Sequence, residues 1–180
     1  MMNAVTVKDI TPAEAAGLHF DAVYNPLEIT DEYRTISIEM TDIHGITRRV
    51  ALLFYTYDDL QNKVLIEESR VLILQQGVLF EFSYPTAELT KWVDPGGYIA
   101  VYFGIFPKDE NYIIHGEGDI IMLNSNLQPV WDFSGHDIFA TADASIASFQ
   151  MKEDRISLVD FDLNRYELGY DGQLISMTKA

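Results

Sequence analysis

The chain has 180 residues, 48% of them hydrophobic, and its 12 basic and 28 acidic residues give a formal net charge of −16. A protein with such a large negative charge repels nucleic acid and anionic membranes, and it attracts cations or a basic protein. The lack of cysteine excludes disulfides, thiolate metal sites and cysteine nucleophiles, and nothing in the composition indicates an oxidising compartment.

We expect a single domain over residues 1–180, because a chain of this length can bury a core without covalent staples. The first ten residues, "MMNAVTVKDI", lack the basic flank and the apolar run of a secretory signal. No apolar stretch reaches the roughly 18–20 residues that a membrane-spanning helix needs. The sequence therefore predicts a soluble, cytoplasmic protein.

Residues 1–32 are predicted to form an N-terminal helix and a connecting segment. Thr11 can cap a short helix near residues 12–17, with Pro12 at the first helical position and Glu14 completing a capping box. Segment 21–32 is polar and broken by Pro26, so we interpret it as a connection or an edge strand.

Residues 33–84 have the pattern of a first β meander. Ile36, Ile38 and Met40 alternate with polar residues, as expected of a half-buried strand. Segment 47–57 is apolar on both faces in its middle, as in a central strand, and further strands follow with a break near Gln76-Gly77. Residues 85–97 are predicted as a helical or loop insertion, with a second short helix near residues 87–92.

Residues 98–180 are predicted as a second β meander, because turn residues recur every six to 12 positions and no amphipathic helix of 12 residues is present. We therefore predict a mostly β protein whose antiparallel meander forms a sandwich or an open barrel, with two short helices. Segments 119–128 and 155–164 align with each other, each as a strand, a polar turn and a strand. A propeller blade has this appearance, but we interpret the similarity as repeated hairpins.

Two groups of polar residues have spacings that suit a divalent cation. His115, Glu117 and Asp119 would share one face of a continuous strand, although the intervening glycines favour a hairpin. The second group follows the spacing of the oxygen ligands in a calcium loop. Its members are Asp160, Asp162, Asn164 and Asp171. The central glycine and the terminal glutamate of such a loop are absent from this segment. No cofactor is required by the sequence, and Ca²⁺ or another divalent cation stays open.

The stretch "YIIHGEGDIIML" (112–123) resembles a hairpin of cupin-type jelly rolls, in which "GEG" is common. The resemblance covers a dozen residues and implies a ligand-binding barrel. The His-x-His pair of metal-binding cupins is absent here, so the resemblance does not imply that metal site.

Aromatic residues give a different lead, because strands that are aromatic on both faces can leave one face for a partner. We name four such candidates: Tyr55, Tyr57, Trp92 and Tyr102. An aromatic patch rimmed by carboxylates would suit a basic protein.

No nucleophile elbow, dinucleotide fingerprint or phosphate loop occurs, so the sequence favours binding over catalysis. The primary hypothesis is a non-catalytic acidic protein-binding module, for example an immunity-type inhibitor of a basic protein or toxin. The alternative is a β-barrel of cupin-like architecture that binds a small ligand or a divalent cation. A homodimer paired through a sheet edge is a third possibility, and neither nucleic acid nor membrane is expected as a partner.

Overall fold

The computed structural model describes residues 4–30, 33–55, 59–96 and 101–179, and most of their regular structure is β-strand. The chain divides into two compact units, Met1–Asp94 and Pro95–Ala180, and each unit contains two four-stranded sheets. The prediction of a mostly β protein is confirmed. Its strands form four separate sheets, and in each unit residues from two sheets build one core.

The first sheet has the spatial order β1-β3-β4-β2. Its strands are β1 (Ala4–Ile10), β2 (Ala22–Tyr24), β3 (Arg34–Thr41) and β4 (Thr47–Phe54). Strand β2 pairs with β4 in parallel and lies at the edge, which is one of our two interpretations of segment 21–32. The prediction for residues 1–32 missed β1, although Val5 and Val7 alternate with polar residues there.

Helix α1 (Pro12–Ala16) forms where the capping signals predict it. The Thr11 hydroxyl accepts a hydrogen bond from the Glu14 backbone N–H at 3.3 Å, and the Glu14 carboxylate accepts one from the Thr11 N–H at 2.7 Å. These bonds satisfy two of the donors that a helix start leaves open. The helix buries none of its residues, so local capping is its visible source of order.

The second sheet is a simple meander of β5 (Val64–Ile66), β6 (Arg70–Gln75), β7 (Val78–Ser83) and β8 (Leu89–Val93). The predicted break lies between β6 and β7, where Gln76 and Gly77 both have positive φ, at 51° and 80°. Two consecutive positive φ values give the two-residue hairpin turn whose twist matches the flanking strands.

The predicted helix near residues 87–92 is wrong, since that segment contains β8. Ala87 has a φ of 56°, in the left-handed region, which prevents a right-handed helix from starting there. Phe80 of β7 lies directly opposite Trp92, so pairing with a residue 12 positions earlier in the chain decides the conformation. Thr90, Trp92 and Val93 suit a strand, and this preference outweighs the local helix-start signal.

The core of the first unit contains apolar side chains from both of its sheets. Ile36, Ile38 and Leu52 come from the first sheet, and Ile73 and Phe80 come from the second; all five are fully buried. The alternation in β3 therefore identified its core face correctly, but the strand is not half-buried, because Thr35 and Ser37 on its other face are buried as well.

The second unit contains two further meanders. The third sheet consists of β9 (Tyr102–Lys108), β10 (Asn111–Gly116), β11 (Asp119–Leu123) and β12 (Pro129–Ser134), and the fourth of β13 (Phe149–Met151), β14 (Arg155–Val159), β15 (Arg165–Gly169) and β16 (Leu174–Thr178). Ile113, Ile120 and Met122 of the third sheet form one core with Ile156 and Leu168 of the fourth.

No strand forms over residues 135–148, although the stretch "HDIFA" (136–140) within the second predicted meander has the pattern of one. This loop is nevertheless anchored, because Phe139 is fully buried and its ring contacts those of Phe133 and Tyr166. The Phe139 N–H donates to the carbonyl oxygen of Glu117 at 2.6 Å. The apolar pattern of "HDIFA" therefore reflects a buried anchor within a loop.

Candidate functional site

His115 is a core residue of the second unit. Its side chain is 7% exposed, and its ring stacks on Phe149 with centroids 4.6 Å apart. Its Nε2 atom lies 3.2 Å from the carbonyl oxygen of Phe139. Burial lowers the pKa of His115 to about 4, against a smaller upward effect of that hydrogen bond. His115 is therefore neutral at physiological pH and packs as an aromatic ring.

Glu117 and Asp119 do not join His115 on one face, because the chain reverses between β10 and β11. His115 lies directly opposite Ile120, so these two share the core face and Asp119 points to the other face. Burial raises the pKa of Asp119, and the nearby carboxylate of Asp132 raises it further. The two-residue spacing that suggested a metal site assumed one continuous strand.

The carboxylate of Asp160 is fully buried and accepts hydrogen bonds from its own turn. The Asn164 N–H donates to it at 2.9 Å, the Asn164 amide at 2.9 Å, and the Tyr166 hydroxyl at 2.6 Å. Burial alone raises the pKa of Asp160, but these hydrogen bonds outweigh it and leave the pKa below its usual value. The ionised carboxylate therefore holds the turn together.

The other members of the calcium-like group have different surroundings. Asp162 is exposed, and Asp171 accepts the Gln173 N–H in the separate turn between β15 and β16. Among the residues that the structure describes, no group of three or more His, Asp or Glu side chains is placed to hold a metal ion. The structure thus does not bring either predicted ligand set together.

The four aromatic candidates differ in exposure. Tyr55 and Trp92 are about half exposed in the first unit. Tyr102, only 3% exposed in the second unit, cannot contribute to a surface, so its assignment as an interaction residue is wrong. A strand that is aromatic on both faces need not leave either face fully exposed: in β9, Tyr102 is buried and Phe103 is half-buried. Tyr57 lies outside the described residues.

The structure does bring two loops of the second unit together. The Phe161 N–H donates to the Ile138 carbonyl oxygen at 2.8 Å, and the His136 N–H donates to the Tyr166 hydroxyl at 3.0 Å. The Tyr166 hydroxyl in turn donates to Asp160, so one buried phenol joins both loops. Burial raises the pKa of Tyr166, and the hydrogen bond that its hydroxyl donates to the Asp160 carboxylate raises it further.

These loops present apolar and acidic side chains side by side, in what we call the turn surface: His136, Asp137, Phe161, Asp162 and Leu163. Phe161 is 52% exposed and Leu163 is 42% exposed, and Leu163 has a left-handed φ of 64°. A cavity of about 410 Å³ adjoins it, lined by His136, Asp162, Asn164 and Lys179. Large apolar groups held outward by a rigid turn are typical of a binding surface.

Sequence reasoning named Asp162 for a different role and missed Phe161 and Leu163. The available signal was "DFDLN", in which two large apolar residues alternate with polar ones inside a turn. Only the fold shows that these residues face outward, because Asp160 and Asn164 are the buried members of the turn.

No family model matches the chain, and no curated protein sequence matches it. Solved structures do match. The computationally designed Ika8 protein has 13% identity and a TM-score of 0.52, with 84% of this chain and 47% of that chain covered. BamB from Moraxella catarrhalis has 16% identity and a TM-score of 0.51, with 91% and 51% covered. The AfRom2 CNH domain has 9% identity and a TM-score of 0.50, with 85% and 49% covered.

The matched structures have β-propeller-like folds, and the chain spans about half of their length. At this level of identity the similarity concerns the fold alone. The described residues also contain no helix with the length and apolar character that a membrane crossing would require.

Proposed function

We propose that the protein is a non-catalytic module that binds a basic protein through the turn surface. The observation that carries this proposal is the pair of exposed apolar side chains, Phe161 and Leu163, on either side of Asp162. Asp137 of the neighbouring loop adds a second carboxylate. Apolar anchors with an acidic rim suit a partner whose own anchors are surrounded by lysine and arginine.

Preorganisation supports this proposal. The buried Asp160 carboxylate accepts bonds from the backbone and side chain of Asn164 and from Tyr166, so the turn is fixed before any partner arrives. A partner then meets an ordered surface and loses little conformational entropy on binding. The net charge of −16 also favours rapid association with a basic protein.

The more specific form of the proposal is an immunity-type inhibitor that neutralises a basic toxin, acting in the cytoplasm. The cysteine-free composition agrees with that compartment. Inhibition would follow if the turn surface covered the substrate-binding cleft of the toxin. A neighbouring gene for a basic secreted enzyme would supply the partner to test.

Affinity capture followed by titration of the purified partner tests the proposal. The test variant is Phe161→Ser combined with Leu163→Ser, and Val130→Ser is the control because Val130 is equally exposed on β12. We expect capture to return a basic partner. Its affinity for the double variant should be about tenfold or more below that for the wild-type chain, and its affinity for the control should stay within about twofold. Raising the salt concentration should weaken binding mainly through the association rate.

Two outcomes contradict the proposal. One is that capture at low salt returns no basic protein. The other is that the captured partner binds the double variant as tightly as the wild-type chain while circular dichroism shows both to be folded.

A further inference from the structure

A row of polar side chains crosses the outward face of the fourth sheet. Gln150, Ser157, Glu167 and Ser176 lie opposite one another in β13, β14, β15 and β16, so their side chains form one row. The opposite face of the same sheet carries Ile156, Leu158 and Leu168 of the core. The sheet is therefore apolar on one side and rich in hydroxyl and amide groups on the other.

Positive charge is concentrated on this outward face. The second unit has five basic residues in the sequence, and three of them are Lys152, Arg155 and Arg165. Lys152 Nζ lies 3.1 Å and Arg155 Nε 3.1 Å from the Glu167 carboxylate, while Asp154 lies 3.7 Å from Arg155. Burial raises the pKa of Glu167, but hydrogen bonds from Ser157 and Lys152 and the two cations outweigh it, so Glu167 stays ionised.

Arg165 differs from the other two cations. It lies two residues before Glu167 on β15 and thus on the same face, roughly 6.5–7 Å further along the strand. Within residues 4–30, 33–55, 59–96 and 101–179, no carboxylate forms an ion pair with its exposed guanidinium group. A guanidinium group has five donors in a planar fork that suits a carboxylate or a phosphate.

A cavity of about 330 Å³ lies over this face, and its lining includes Gln150, Lys152, Ser157, Arg165 and Glu167. Its volume is at the lower end of the range of small-molecule sites. The cations stand on both sides of the polar row, so a ligand in the cavity would meet neutral hydroxyl and amide groups between them.

We propose that this cavity binds a small polyhydroxylated anion, that is, a sugar carrying a carboxylate or a phosphate group. Arg165 receives the anionic group, and Lys152 supplies a second positive charge. Ser157 and Gln150 exchange hydrogen bonds with the hydroxyl groups of the ligand. The site shares no residue with the turn surface, so it stands independently of the proposed protein-binding function.

The charge of the cavity gives this proposal its specificity. The chain as a whole repels anions, so an anion is held here only by local contacts with Arg165 and Lys152. Glu167 is negatively charged and repels the anion directly, although it also holds Lys152 and Arg155 in place through ion pairs. We expect the repulsion to dominate. Removing the charge of Glu167 should therefore strengthen anion binding, whereas removing the charge of Arg165 should weaken it.

Isothermal titration calorimetry of the full chain at low salt tests the proposal. The probes are glucuronate, glucose 6-phosphate, neutral glucose and inorganic phosphate. We expect both sugar anions to bind, and glucose and inorganic phosphate each to bind about tenfold more weakly or worse. Arg165→Gln should weaken sugar-anion binding by about tenfold, Glu167→Gln should strengthen it severalfold, and the charge-matched control Arg48→Gln, at an exposed position of the first unit, should leave it within about twofold.

Several results would overturn the proposal. If neither sugar anion, at about 10 mM, gives a binding heat or raises the melting temperature, the cavity is not a binding site for this class of ligand. Equal affinity of Arg165→Gln and the wild-type chain removes the assigned role of the guanidinium group. Inorganic phosphate that binds as tightly as glucose 6-phosphate shows that the hydroxyl groups are not recognised.

Discussion

At the scale of single residues, His115 shows how burial converts a candidate ligand into a packing group. Its ring stacks on Phe149 and meets Phe103 edge-on at 5.0 Å, and its pKa is lowered to about 4. In the unfolded chain the pKa returns to about 6.5, so the unfolded state binds the proton more readily. The contribution of this residue to stability is therefore fully present above about pH 6.5 and is lost as the pH falls toward 4.

We predict that His115→Phe removes a large part of this pH dependence. The wild-type chain should lose up to about 3 kcal/mol of unfolding free energy from this group between pH 7 and pH 4, because one pKa unit corresponds to about 1.4 kcal/mol. Phe keeps the ring contacts and has no proton to gain. Urea unfolding of both chains at pH 7, 5 and 4 measures the difference, and parallel losses in the two chains would contradict the prediction.

A buried carboxylate makes the opposite contribution at Asp160. Its lowered folded pKa means that its stabilisation is present above an unfolded pKa of about 4 and is lost as the pH falls through the folded value. We predict that Asp160→Ala destabilises the second unit by about 1–3 kcal/mol, since it leaves buried donors of Asn164 and Tyr166 without an acceptor.

Asp160→Asn is the matched variant, because its amide oxygen can still accept the Asn164 N–H. We expect it to cost less than the alanine variant in thermal or urea unfolding. If alanine and asparagine are equally destabilising, the charge of the carboxylate matters and its geometry as an acceptor does not.

At the scale of elements, one five-residue turn recurs. In residues 42–46, 124–128 and 160–164 the first side chain accepts the backbone N–H of the fifth residue, and the fourth residue has a positive φ. The last two of these turns account for the internal similarity of segments 119–128 and 155–164. They join β11 to β12 and β14 to β15, which hold different positions in their sheets, so the repeat is one of hairpins.

The same turn explains why Asp160-x-Asp162-x-Asn164 resembles a calcium loop. Alternating oxygen-bearing residues suit both a cation and a backbone that needs acceptors for its N–H groups. In this chain the acceptors serve the backbone. The sequence alone does not separate these cases, because both place the same residue types at the same spacing.

We predict that Asn124→Ala destabilises the second unit by about 1 kcal/mol, since the Asn126 and Gln128 N–H groups donate to the Asn124 side chain at 2.9 and 3.0 Å. Asn124→Asp keeps the acceptor and should retain most of the stability. Urea unfolding of the three chains measures this. A loss with aspartate as large as that with alanine would show that the acceptor is not what stabilises the turn.

Local pattern was sufficient where a side chain's neighbours in sequence determine its environment. The alternation of β3, the capping of α1 and the Gln76-Gly77 turn are all of this kind. It failed where distant pairing decides, as in β8, and where a chain reversal separates residues that a single strand would align, as between His115 and Asp119. The "DFDLN" pattern marks Phe161 and Leu163, but their outward direction depends on which members of the turn the fold buries, and for this there is no local signal.

At the scale of the whole molecule, negative charge is shared evenly between the two units. The first has seven basic and 15 acidic residues and the second has five and 13, so each carries −8. Like charge at this density opposes the compact state of each unit, and dissolved salt screens the repulsion within about a Debye length. The few ion pairs, such as Arg70 with Glu67 and Glu81, offset only part of it.

We predict that raising NaCl from about 20 to 300 mM at pH 7 increases the melting temperature by a few degrees. The gain should shrink toward the isoelectric point near pH 4.4, where the net charge vanishes. A variant with Glu110→Gln and Glu153→Gln, both exposed, should melt higher than the wild-type chain at low salt and approach it at high salt. Differential scanning calorimetry measures all three effects. A melting temperature that is flat or falls with salt at pH 7 would show that ion pairs, rather than self-repulsion, dominate the electrostatics of folding.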